Sequence, residues 1–63
     1  MQPHQERVVT EKKELDDKLG KLGVFRKSDT YASLDEAEQL RLTRQFVHME
    51  DYSYVLGERI AAF

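Results

Sequence analysis

The side chains here that could do chemistry are two histidines, twelve carboxylates and a serine set inside an apolar stripe. His4 falls near the start of the chain and His48 lies between Val47 and Met49. On a helix His48 approaches Asp51, three residues on, whereas Glu50, two residues on, points elsewhere. No H-E-x-x-H or paired-histidine spacing occurs, so no metal site is expected. Ser53 has no nearby base to activate it, and the ordinary role for such a residue is a hydrogen bond to its own helix backbone. The acids of Glu11-Lys12-Lys13-Glu14-Leu15-Asp16-Asp17-Lys18 alternate with lysines, the pattern of a solvated, ion-paired face. Gly20-Lys21-Leu22-Gly23 has the glycines of a phosphate loop without the preceding strand such a loop requires. No catalytic residue and no cofactor is expected, and the chain reads as non-enzymatic. One ligand-like pattern remains, of aromatic rings that could stack and bases that could meet phosphate. Its candidate contacts are Arg26, Lys27, Tyr31, Arg44, Tyr52 and Arg59.

The elements that would carry these groups follow from composition and periodicity. A chain of 63 residues leaves much of its surface wet and is marginal alone. At this size stability comes from disulfides, a metal, very good helix packing or oligomerisation. Cysteine is absent, which removes disulfides and thiolate metal sites. Hydrophobic residues make up 40% and charged residues 35%, a mix suited to amphipathic helices. The net charge of −2 gives no basic footprint, so no nucleic-acid partner is expected. No apolar run spans a bilayer and no secretory signal is visible; a cytoplasmic location is the expectation.

The fold class expected is all-α, an antiparallel two-helix hairpin in one domain over 1–63. The first helix spans about 3–27, with Pro3 at a position where its missing N–H costs nothing. Glu14 with Lys18 and Asp17 with Lys21 supply acid-before-base pairs on its surface. Gly20 and Gly23 weaken it, yet a continuous helix keeps Phe25 out of a polar loop. A turn covers about 28–33, and Ser33 with Glu36 forms a capping box for a second helix over about 34–61. The hairpin core is expected from Val8, Leu15, Leu19 and Leu22 against Leu42, Phe46, Met49, Leu56 and Ile60.

A second stripe on the distal helix, Leu40, Val47, Tyr54 and Ala61, recurs every two turns on another side. One companion helix cannot cover both stripes, and each large apolar side chain left out forgoes roughly 1.5–3 kcal/mol of burial. These four residues are therefore the expected self-association interface, with a dimer favoured and a four-helix bundle or larger homo-oligomer as its form.

Gln5-Glu6-Arg7-Val8-Val9, Glu11-Lys12 and Glu14-Leu15-Asp16, followed by Leu19, Leu22 and Phe25, resemble a family of small helical phage and prophage proteins of unsettled activity related to a crAss-like phage protein. The resemblance resumes at Glu38-Gln39, Arg41-Leu42, Met49, Tyr52-Ser53, Leu56 and Arg59-Ile60, and departs at Gly20 and Gly23. It implies a phage accessory protein, located in the bacterial host cytoplasm, that acts by binding and counters a host defence through a protein target. The alternative is an oligomeric sponge for a cyclic nucleotide or similar small ligand, an analogy at the level of architecture. A DNA-binding helix-turn-helix fits poorly, because the distal helix is far longer than a recognition helix needs.

Overall fold

The computed structural model describes residues 1–63 and contains helices only: α1 (Pro3–Phe25), α2 (Asp29–Ser33) and α3 (Glu36–Ala61). The two long helices run antiparallel as a rod of 45 × 14 × 13 Å. No helix is long and apolar enough to cross a membrane.

Pro3 stands in the first turn of α1, and the Gln2 amide donates to Gln5 Oε1 at 2.8 Å. The helix runs unbroken through Gly20 and Gly23 and ends at Phe25, two residues before the expected boundary. Ser28 explains the stop. Its hydroxyl donates to the Phe25 carbonyl at 2.6 Å and accepts from the Tyr31 amide at 3.1 Å, closing one helix and capping the next. The segment expected as a plain turn thus holds a helical turn, Asp29–Ser33. The expected Ser33–Glu36 capping box does not form. The Ser33 hydroxyl donates to the Thr30 carbonyl at 2.7 Å, and Asp35 caps α3 instead, its Oδ1 accepting from the Glu38 amide at 3.2 Å. Asp and Ser are equivalent as caps; here the extended backbone of Leu34 separates α2 from α3 and moves the cap to Asp35.

The seam between α1 and α3 holds the apolar core. Leu56 is completely buried, and Val8 is 6% exposed. Leu15, Leu19 and Leu22 on α1 and Leu42, Phe46, Met49 and Ile60 on α3 are half-buried, because two helices shelter a seam residue from one side only. Surface pairing differs in detail from the spacing rule: Asp17 meets Lys21 at 3.1 Å, but Lys12 bridges to Asp16 at 3.1 Å and Glu14 and Lys18 form no ion pair.

The two glycines of α1 have different surroundings. A Cβ at Gly20 would meet nothing within 4 Å, whereas one at Gly23 would touch Phe46 Cε2 at 3.4 Å. Gly20→Ala is expected to stabilise the fold by about 1 kcal/mol, read from urea unfolding followed by circular dichroism. Gly23→Ala gains less, because the Phe46 ring must accommodate the new methyl.

Candidate binding surfaces

A polar cluster interrupts the seam. Lys12 Nζ donates to Ser53 Oγ at 2.7 Å and to Asp16 Oδ2 at 3.1 Å, and the Ser53 hydroxyl donates to Asp16 Oδ1. Ser53 is 7% exposed. It therefore joins α3 to α1 rather than bonding its own helix, as the sequence had suggested. Lys12, which breaks the apolar stripe of α1, provides the matching partner. Gly57 leaves room for the Lys12 stem, whose Cε lies 3.6 Å from where a Cβ would stand. The three groups hydrogen-bond one another, and polar contacts at one level of an apolar seam favour one register of the two helices.

The hydrogen bond from Ser53, and then that from Lys12, hold the Asp16 carboxyl below the ordinary carboxylate value. A carboxylate depressed in the folded state adds stability that is present above its unfolded pKa and is lost as pH falls through the folded one. Thermal melts are thus expected to weaken below about pH 4, and Asp16→Asn removes this component of the acid loss. The check is the difference between the two melting-temperature profiles; parallel profiles would contradict it.

The turn end of the rod gathers aromatic and basic groups. The Phe25 and Tyr31 rings meet edge-on, 6.1 Å apart at 85°. The Tyr31 hydroxyl donates to the Gln39 carbonyl at 3.1 Å and lies 3.1 Å from Thr43 Oγ1, while Gln39 Nε2 donates to the Tyr31 carbonyl at 2.9 Å. Among the candidate ligand contacts, Tyr31 is thus tied into the fold, pinning α2 to α3. The Arg26 guanidinium stacks over the Phe46 ring, 4.5 Å from its centroid, and its Nε, buried, has no hydrogen-bond partner. Lys27 beside it is exposed.

Gly20, Gly23, Val24, Arg26, Lys27 and Phe46 line a groove of about 430 Å³. The absent side chains at the two glycines open it, a consequence that reading glycine as a helix weakness misses. Arg44, Tyr52 and Arg59 are exposed on α3. Arg44 and Arg59 stand about 22 Å apart along the axis, so one chain does not gather the six candidate contacts into one site. His4 and His48 are exposed, and no group of three His, Cys, Asp or Glu side chains is placed to hold a metal.

The third surface is the outer side of α3. Leu40 is 59% exposed, Val47 46% and Tyr54 72%, and Ala61 is also exposed. With a helix advancing about 100° per residue, Val47 stands about 160° round from the core residue Met49. Averaged over each stripe the separation is about 130°, and α1 covers only the seam side.

No curated protein and no solved structure shows a significant match to the chain. A family model described as Sequestin matches residues 2–62, which takes in both long helices, the polar seam, the groove and the outer stripe, and the chain belongs to the Sequestin family.

Proposed function

We propose that this protein is a non-enzymatic sequestering protein that works as a homo-oligomer, a dimer first, and holds a small anionic ligand of the cyclic-nucleotide class at the turn end of the rod. The family name denotes sequestration, which is a binding role. The observation that carries the ligand class is the groove at Gly20 and Gly23. It is flanked by two cations, and the buried Arg26 Nε–H has no acceptor. An anion in the groove would meet the charges of Arg26 and Lys27, and backbone uncovered by glycine admits it closely. The resemblance to phage and prophage proteins supports a setting in the bacterial host cytoplasm, where removing a signal nucleotide counters a host defence.

Titration calorimetry with a panel of cyclic di- and trinucleotides tests the reading. One member of the panel is expected to bind saturably, and Lys27→Ala to weaken it by about tenfold while leaving the melt unchanged. Silence across the panel would remove the small-ligand reading. A host protein as the sequestered target is the second reading, favoured by the apolar outer stripe of α3. A stoichiometric protein captured from host lysate, lost on Tyr54→Ala, would support it.

A further inference from the structure

We infer that the outer side of α3 pairs with the same surface of a second copy, antiparallel, about a two-fold axis that passes beside Val47. The inference rests on the oligomeric reading above and gives it a geometry.

Leu40, Val47 and Tyr54 recur every seven residues, and Arg44 and Asp51 share that spacing along one flank of the stripe. Both flanking residues are exposed. Neither belongs to an ion pair of the chain, whose salt bridges are Lys12–Asp16, Lys21–Asp17 and Arg41–Glu38. A two-fold axis beside Val47 sets Val47 against its own counterpart and Leu40 against Tyr54 of the second copy. Such an axis keeps each flank on its own side, so Arg44 comes within about one residue's rise, ~1.5 Å, of level with Asp51 of the second copy. The symmetry repeats that pair, and two oppositely charged contacts bracket the apolar centre. A parallel pairing, about an axis along the helices, carries each flank to the opposite side of the interface, so Arg44 and Asp51 of one copy no longer meet those of the other and the charge pairing is lost. Glu58 and Glu36 are the one like-charged encounter in the antiparallel form. They fall about 16 Å from the axis, at the wet rim.

Because the outer stripe lies about 130° round α3 from the seam, the assembly has α3 and its copy in the middle and the two α1 helices outside. Both grooves at Gly20 and Gly23 lie close to the level of the axis, because Gly23 faces Phe46, the neighbour of Val47.

Charge exchange tests the geometry. Sedimentation equilibrium is run on the wild type, Arg44→Asp, Asp51→Arg and the double exchange, with circular dichroism verifying equal helicity. Each single reversal makes both contacts repulsive and is expected to raise the dimer dissociation constant by about tenfold or more. The double exchange restores wild-type affinity. Mixing the two single variants yields a heterodimer tighter than either homodimer. A dimer indifferent to the reversals, or one not rescued by the exchange, overturns this geometry and leaves self-association standing. A wild type that stays monomeric overturns both. Nucleotide binding by calorimetry reads the ligand proposal separately.

Discussion

Leu56→Ala is expected to be the most damaging single truncation in the chain, lowering stability by about 2–5 kcal/mol. Leu56 is the only large side chain wholly removed from water. Ser53, one turn before it on α3, places the polar cross-seam contacts beside it, and Val8 on α1 is the next most buried apolar residue. Truncation there removes the transfer energy of the lost atoms and opens a void that two rigid helices close poorly. Domains of this size have only about 0.05–0.15 kcal/mol of stability per residue, so the loss consumes much of the total. Urea unfolding followed by circular dichroism should show a low midpoint and a weakly cooperative transition. Val55→Ala is the matched control. It lies next to Leu56 in sequence but is 49% exposed, and its effect should stay within about 0.5 kcal/mol. Equal midpoints for the two variants would mean that the seam is not where the stability lies.

The second large effect concerns assembly. Val47→Asp puts two carboxylates beside the proposed axis and removes two valines from burial. At about 1.5 kcal/mol for each valine, dimer affinity should fall by about a hundredfold before any repulsion is counted. Folding of the single chain should change little, because Val47 is on the side of α3 away from α1. Sedimentation reads the first effect and circular dichroism the second. A dimer that survives Val47→Asp would show that copies meet elsewhere.

These expectations divide along the line between what periodicity encodes and what it does not. The two long helices, the unbroken course through Gly20 and Gly23, and the side chains that face the seam follow from apolar spacing, because burial selects one side of a helix. Boundaries were less legible. Ser28, Ser33 and Asp35 are all competent caps, and the choice among them depends on how Tyr31 docks on Gln39 and Thr43 of α3, contacts that no local pattern announces. The polar seam left a trace as two exceptions: a lysine in the stripe of α1 and a serine in that of α3. Taken as a pair they predict each other; taken singly, Lys12 belongs to a solvated charge run and Ser53 is a self-bonded hydroxyl.

The candidate groove was obscured for a related reason. Sequence alone shows glycine as a cost to helix formation, whereas its effect on the molecular surface depends on what stands beside it, here Arg26 on Phe46. Arg26 and Lys27 were legible as bases near aromatics. Arg44, Tyr52 and Arg59 resemble them in residue type only: the length of α3 carries Tyr52 and Arg59 away from the groove, and Arg44 stands about 160° round α3 from Phe46.

The protein is proposed to act by assembling and holding something rather than by transforming it. Native mass spectrometry tests both halves at once, using protein incubated with the panel of cyclic di- and trinucleotides. The expected result is a principal species at twice the 7.4 kDa chain mass, carrying the unaltered mass of one panel member, which denaturation releases intact. A bare 7.4 kDa species across the panel, or release of the ligand as a cleaved product, would contradict it.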